Sequence, residues 1–369
     1  AHDFMVSKGN GTGQMNKPTI LAAVVVVALG GAGAYFALGG GDGGPVEVGG
    51  TSTGGNASGG ASAGGAPNAG GDGDWDAKWK AQQLAGDLDK RPDLADDALR
   101  ATAKGWKTAG DVASWLGKLG TDGKLKLVPT ASVRRHQVRT ASELHAELAK
   151  GSALPAHETE VAWLAMALLE AAGLKGEFVT DGAGLQTPVL MSRTRVAVRS
   201  GKTVIAPLGE NLQKPQKIEP SVAAAWWLVQ RAYVLRADRK FKDAHALLAA
   251  ANALGTGAAA EYARGVIEMD QGLIDRGLER CDKALAMQDD PMARLFLGDV
   301  LNQLQRPFKA RQQVERVIKK HPKLAEGWAS RGILQAARVA TLPEAEKAAA
   351  LDTAAGSLEK ALKLDPKVI

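Results

Sequence analysis

Between Ala225 and Pro366 the sequence repeats itself with a period of about 34 residues, the range of helix-pair repeat units. Small residues recur at Ala232, Gly265, Gly298 and Gly332, with spacings of 33, 33 and 34. In the same phase Ala244, Gly277 and Ala310 lie twelve residues after the first three, and Ala251, Ala284 and Val317 follow seven residues later. A period of this length suits a pair of amphipathic helices. One such pair cannot bury its apolar face alone, so neighbouring pairs must stack. Small residues at a fixed phase let the two helices of a pair approach closely. Residues 221–369 are therefore predicted to form a helical repeat array.

In GWASRGILQAA and SLEKALKLDP the chain resembles the tetratricopeptide (TPR) repeat family, with Trp328, Gly332, Leu358, Ala361 and Pro366 in signature slots. Pro322 and Pro366 end units after KKH and KLD. Two departures stand out. The first unit has no small-residue break beyond Asp238-Arg239-Lys240, and the last carries about ten extra residues, VATLPEAEKA, that lengthen a helix or add a turn. The resemblance implies a concave face that meets a protein partner. Its groove positions fall on Trp226, Tyr233 and Arg236 in unit one, Tyr262 and Met269 in unit two, and Asp299, Asn302 and Gln303 in unit three. Trp226 and Trp227 are assigned instead to packing against the preceding domain. Tyr and Arg combine large area with a polar group, as interface anchors do. Asn302 and Gln303 follow the inward residue Leu301, so they are expected at the surface. Cys281 occupies an inward slot of unit two and reads as a packing residue.

The other end of the chain has a different character. Thr19–Leu38, TILAAVVVVALGGAGAYFAL, carries no charge. Its length of roughly 20 residues matches the hydrocarbon core of a bilayer, and residues 19–38 are predicted to be a transmembrane helix. A cleaved signal peptide and a buried core helix are the competing readings. Lys8 and Lys17 precede the span, whereas Asp42, Glu47, Asp72 and Asp74 follow it with no lysine or arginine before Lys78. The basic flank is expected in the cytoplasm, as residues 1–18, and the body outside it. Residues 39–73 are almost entirely Gly, Ser, Ala, Asn and Thr, a composition unable to bury a core. Read as a flexible tether, they reach roughly 30–35 Å. The protein is therefore expected at a bacterial inner membrane, with its body in the periplasm if the cell has two membranes.

Residues 75–220 read as a helical or α+β domain. Trp75, Trp79, Leu84 and Leu88 have partial helical spacing, and Leu94, Ala98 and Leu99 begin a second segment that leads to Trp106 and Trp115. Arg91-Pro92-Asp93 and Gly110-Asp111 look like breaks. Short strands are expected at 125–130 and 137–140, then a helix opened by the capping box of Thr140 and Glu143. His157–Ala172, HETEVAWLAMALLEAA, is an almost wholly apolar helix stopped by Gly173, which marks it as a core element. Strands at 176–180 and 188–199, a turn at Gly201-Lys202 and a return strand at 203–206 complete a small antiparallel sheet against that helix.

ALLEAAGLKGEFV followed by RTRVAVRSGKTVIAPLG resembles the transglutaminase-like fold of the papain-type superfamily. The resemblance implies a nucleophilic Cys opening the core helix, a His on the next strand and an Asp on the returning strand. Those slots fall near Glu160, near Thr194 or Arg195, and near Ala206 before Pro207. None holds the expected residue type, so the domain is degenerate by this comparison. Independently, a thiol nucleophile needs a Cys beside a base. The single cysteine, Cys281, lies in the repeats and also excludes an intrachain disulfide framework. His136, His145 and His157 share no metal-ligand spacing with another ligand. His157, Glu158 and Glu160 read as a polar helix N-terminus or, alternatively, as an acid–base cluster.

These features predict a mostly α chain, with one N-terminal transmembrane helix, a small degenerate α+β domain and a TPR-like array. The predicted function is a membrane-tethered, non-catalytic scaffold that binds protein partners in a membrane-associated complex. No cofactor, metal or catalytic residue is assigned. Alternatives are a degenerate domain that binds a peptide or cell-wall strand and, below it, a hydrolase or transamidase. The charge balance, 46 Lys+Arg against 40 Asp+Glu for a net +6, is spread along the chain and gives no argument for nucleic acid.

Overall fold

A computed structural model describes residues 79, 91–93, 95–127, 138–180, 196–206, 212, 215–366 and 368. The expected cytoplasmic segment, transmembrane helix and tether lie outside the described residues, as do most of the strand predicted at 188–199 and part of that at 125–130. Among the described residues no helix is long and apolar enough to cross a membrane. The architecture is mostly helical with a small sheet region. Two compact units divide between Phe296 and Leu297.

In the first unit, helices α1 (Asp97–Ala103), α2 (Ala109–Thr121), α3 (Ala141–Leu148) and α4 (Glu158–Ala171) alternate with strands β1 (Leu125–Leu127) and β2 (Leu154–Ala156). Strands β3 (Glu177–Thr180), β4 (Val196–Ser200), β5 (Thr203–Ile205) and β6 (Gln216–Ile218) follow. The last four form an antiparallel sheet in the order β5-β4-β3-β6, with Phe178 opposite both Val198 and Ile218. Leu125–Leu127 pairs in parallel with Leu154–Ala156, so the strand predicted at 125–130 finds its partner in a segment the alternation rules did not mark. Residues 138–140 are not a strand. They lead into α3, where Thr140 caps the helix and Glu143 returns a bond to the Thr140 N–H at 3.0 Å.

Helix α4 is the centre of this unit. His157 is its N-cap and Gly173, at φ +72°, its C-terminal stop. Ala and Leu dominate its sequence, both strong helix formers. Its continuous apolar run is buried nearly all round because α1, α2, α3, β4 and the next helix surround it. Trp163 meets Phe178 of the sheet edge-on at 4.4 Å between ring centroids. The pair Gly110-Asp111 does not break the chain. It lies in the first turn of α2, where the Asp111 carboxylate accepts from the Thr108 N–H at 2.8 Å and replaces a missing helical bond.

The hairpins begin with α5 (Pro220–Ala237) and α6 (Phe241–Ala253), then α7 (Gly257–Asp270) and α8 (Ile274–Met287). Helix α9 (Pro291–Gln303) carries the division between the units, and α10 (Pro307–Lys320), α11 (Ala325–Val339) and α12 (Glu344–Leu364) belong to the second. The starts of α6, α8 and α10, at Phe241, Ile274 and Pro307, are evenly spaced, and so are those of α7, α9 and α11, at Gly257, Pro291 and Ala325. Both spacings reproduce the period of the small residues. Those residues sit where paired helices cross. A Cβ on Gly265 would lie 2.6 Å from the Gly277 carbonyl, and one on Gly332 only 2.6 Å from Leu358 Cγ. The insertion in the last unit does both things expected of it. It forms a turn after α11 and extends α12 to 21 residues.

One turn geometry recurs in three hairpins. Arg239, Gly272 and Gln305 occupy equivalent places in successive repeats and have φ of +58°, +85° and +58°. The following amide closes a wide loop each time: Lys240 to the Leu235 carbonyl at 2.8 Å, Leu273 to Glu268 at 2.9 Å, Arg306 to Leu301 at 2.8 Å. This is the Schellman pattern that satisfies the last carbonyls of a helix. The unit with no small residue at its break therefore turns in the same way as the unit that has glycine.

Candidate functional site

The start of α4 is where the transglutaminase-like comparison puts a nucleophile. Glu160 fills that position. Its Oε1 accepts from the Arg139 backbone N–H at 2.9 Å and from Arg139 Nε–H at 2.8 Å, while Oε2 accepts from the His157 N–H at 2.7 Å. Arg139 also donates to Glu147 Oε2 and to the Pro155 carbonyl, both at 2.6 Å. Its own carbonyl accepts from Trp227 Nε1–H at 3.1 Å. Burial works against the Arg139 charge, but the bonds and charge of Glu160 and Glu147 overcome it and raise its pKa. The Arg139 guanidinium thus ties the entry to α3 to α3 itself, β2 and α4, and the Arg139 carbonyl adds α5.

His157 is buried in the same place. Its Nδ1 accepts from the Thr159 N–H at 3.3 Å and lies 2.9 Å from Thr159 Oγ1. An accepting Nδ1 puts the ring proton on Nε2. Burial brings the imidazole pKa down to about 4, so the ring is neutral at physiological pH. Both carboxylate oxygens of Glu160 are committed to donors, and this arrangement supports helix capping rather than proton transfer. Of the other two family slots, Thr194 and Arg195 lie outside the described residues, and Ala206 carries no functional group.

Cys281 packs between α7 and α8, wholly buried, with its Sγ 3.7 Å from the Tyr262 carbonyl. Burial raises its pKa well above the ordinary thiol range. The nucleophilic thiolate is thereby suppressed. Among the described residues no group of three or more His, Cys, Asp and Glu side chains gathers as metal ligands.

The seven predicted contact residues separate into two sets. Tyr233, Tyr262 and Met269 are buried, contrary to what a contact role needs. Tyr262 donates its hydroxyl to the Ala293 carbonyl at 2.8 Å, and Met269 packs against Gly277. These side chains face neighbouring helices, because the aromatic and thioether positions of a stacked hairpin point into the stack. Arg236 is spent on a two-bond ion pair with Asp270, at 2.5 and 3.0 Å, that links α5 to α7. On α9, Asp299 is exposed and Asn302 and Gln303 are half-buried, while Leu301 is buried as expected. Crowding by surrounding protein pushes the Asp299 pKa up to about 7. Its solvent contact opposes that shift, and exposure decides the matter: Asp299 stands as a surface carboxylate. Trp227 is wholly buried against the α+β region, the packing role predicted for it.

Two ionic clusters escaped the sequence reading. Arg139 follows no periodic pattern, and its partner Glu160 belongs to a different helix. Glu268 is buried and held by Arg280, at 2.8 and 2.9 Å, and by Arg276 at 2.9 Å. The i to i+4 spacing of Arg276 and Arg280 on one helix face is a signal that was present.

A scan against protein-family models and a search of curated proteins return no match to this chain.

Proposed function

We propose that the protein is a membrane-tethered, non-catalytic assembly module. Its repeats are read as TPR-like hairpins, and its α+β region as a transglutaminase-like domain that has lost its chemistry. The observation that carries the reading is the hairpin that recurs at a constant period, with small residues at its crossings and one turn geometry. Arrays of this kind offer extended surface for partners. A tether would raise the local concentration of such a partner at the membrane. Support for the loss of catalysis comes from Glu160, which occupies the nucleophile slot in a closed ion pair.

With Tyr233, Tyr262 and Met269 buried, the contact set narrows to the α9 surface of Asp299, Asn302 and Gln303. A photo-crosslinking residue placed singly at 299, 302 and 303 in the native cell tests this. The expected result is one discrete crosslinked species from all three positions, with the species from 302 and 303 lost when Asp299→Lys is added. Crosslinks obtained only from the surface of residues 95–218 would move the site to the α+β region. Proteolysis of intact spheroplasts, in the same strain, should degrade the body. Protection until lysis would reverse the proposed orientation.

A further inference from the structure

Helix α10 departs from the other second helices of the repeats. Its buried side, with Ala310, Val314, Val317 and Ile318, is ordinary. On the solvent side Phe308, Lys309, Arg311, Arg316, Lys319 and Lys320 are exposed. By azimuth Phe308 lies near the middle of that face, but it sits in the first turn of the helix, with Lys309 and Arg311 beside it and Arg316, Lys319 and Lys320 roughly 12–18 Å further along the axis. Phe308 is 71% exposed. Glu315, the one acid of the helix, lies 3.5 Å from Arg331. Among the described residues no ion pair is formed by Lys309, Arg311, Arg316 or Lys319.

The preceding repeat supplies the control. Helix α8 places Asp275, Glu279 and Asp282 among Arg276, Arg280 and Lys283, a mixed and self-neutralising surface. One repeat further on, Phe308 stands where Asp275 does, Gln312 where Glu279 does, and Lys319 and Lys320 replace Ala286 and Met287. Like charges three and four residues apart destabilise a helix. A face that gathers five cations, drops two acids and adds a bare aromatic is matched to an anionic surface outside the fold. It belongs to a single helix and carries one exposed aromatic ring, and Phe308, Arg311, Gln312, Glu315, Arg316 and Lys319 line an open depression of about 300 Å³ on it. An exposed aromatic on a helix face rich in lysine and arginine is the pattern of interfacial membrane binding.

We propose that the exposed face of α10 docks the C-terminal hairpins on an anionic lipid bilayer, with Phe308 among the headgroups and the surrounding cations over lipid phosphates. The proposal rests on the membrane-tether reading, in which the body lies at a typical distance of roughly 30–35 Å from its anchor. Docking would then fix the orientation of an array that the tether alone leaves free.

The full chain carrying Gln312→Cys with a nitroxide label provides the test, because wholly buried Cys281 is withheld from labelling. The label's collision rates with oxygen and with a water-soluble nickel chelate report its depth. In nanodiscs with about one-third phosphatidylglycerol, the oxygen-to-nickel ratio is expected to rise about threefold over detergent. It should return to the aqueous value in zwitterionic discs, and also in about 0.5 M salt, where charge attraction is screened within a few ångströms. Arg311→Glu/Arg316→Glu/Lys319→Glu should abolish the rise, and Phe308→Ser should reduce it. An aqueous label in anionic discs overturns the proposal. So does a label immobilised without oxygen gain in every lipid, the signature of a protein covering the face. A chain that fails to enter discs refutes the anchor alone. The same labelled chain titrated with phosphatidylglycerol vesicles then decides the docking separately, by the same ratio.

Discussion

The α+β region and the hairpins are organised by opposite devices. Around α4 the fold is pinned by a buried charge: Arg139 reaches four segments, and its side chain is only 6% exposed. Between α7 and α8 the fold is pinned by missing side chains: Gly265 and Gly277 bring two backbones together where no Cβ fits. A buried ion pair is directional and long-range, so it specifies one arrangement of unlike elements. Close approach through glycine is local and can be copied in every repeat. A charge in the interior fails abruptly when a partner is lost, whereas an array of copies should fail one unit at a time.

Arg139→Met tests the first half and has the largest expected effect. Removing one partner of a buried pair leaves Glu160 uncompensated, at a cost of about 3–5 kcal/mol. Denaturant unfolding followed by tryptophan fluorescence measures it, since Trp227 bonds the Arg139 carbonyl. Adding Glu160→Leu should restore part of that loss but not all. The backbone N–H groups of Arg139 and His157 would then lack their acceptor. Full recovery in the double variant would show that the pair has no organising role.

His157 makes the same region sensitive to acid. Its pKa is about 4 in the fold, against an ordinary value of 6.5. The unfolded chain binds the proton first, so this contribution is complete above pH 6.5. It is lost as pH falls from there toward 4, with a ceiling of about 3 kcal/mol. His157→Asn keeps an N-cap side chain and removes the titration. Unfolding free energies measured at steps between pH 7 and pH 4 should therefore fall less steeply in the variant. Equal slopes would assign the acid response to other groups.

The hairpins offer a graded test. A Cβ on Gly277 would meet the Gly265 carbonyl at 2.5 Å, whereas one on Gly298 finds the Ala310 carbonyl at 3.4 Å. Gly277→Ala should cost about 2 kcal/mol, because backbone rather than a flexible side chain must move. Gly298→Ala should be neutral or stabilising, by up to about 1 kcal/mol from helix propensity. Thermal unfolding of the two variants side by side is enough. Equal losses would mean that the period, and not the closeness of approach, sets the requirement for small residues.

This contrast explains what was legible in the sequence. Periodic and local features were: the phase of the small residues, the helix His157–Ala172 found as Glu158–Ala171, the Thr140 cap and the turn at Gly201. Each depends on neighbours within one or two turns or on a pattern that is copied. Arg139 and Glu160 meet across an intervening helix and strand, and nothing local marks them as partners. Strand β6 escaped because Gln216–Ile218 is too short to show alternation. The contact residues Tyr233, Tyr262 and Met269 are buried for a further reason. Helical phase places Tyr262 on a face but does not say whether that face meets solvent or another helix. Tyr262 met another helix. Asp299, whose neighbours Gly298 and Leu301 turn inward, was left at the surface.

The smallest expected effect concerns the turn that all three hairpins share despite unlike residues. A left-handed conformation costs a residue with a Cβ about 1–2 kcal/mol, and glycine avoids that cost. Glycine's greater freedom in the unfolded chain returns about 0.5–1 kcal/mol of it. The net gain from Gln305→Gly should therefore be about 0.5–1 kcal/mol. Arg239→Gly should gain less, because the Arg239 guanidinium lies 6.0 Å from the Phe241 ring and loses that contact. An exposed cation–π pair is worth about 0.5–1 kcal/mol, enough to cancel the benefit. Gly272→Arg, the reverse change in the middle hairpin, should destabilise by about 1 kcal/mol. Chemical denaturation of the three variants gives the order Gln305→Gly above Arg239→Gly above Gly272→Arg. If Gln305→Gly destabilised instead, the left-handed turn would not be under strain there. The equivalence of the three hairpins would then stop at backbone shape and not extend to energy.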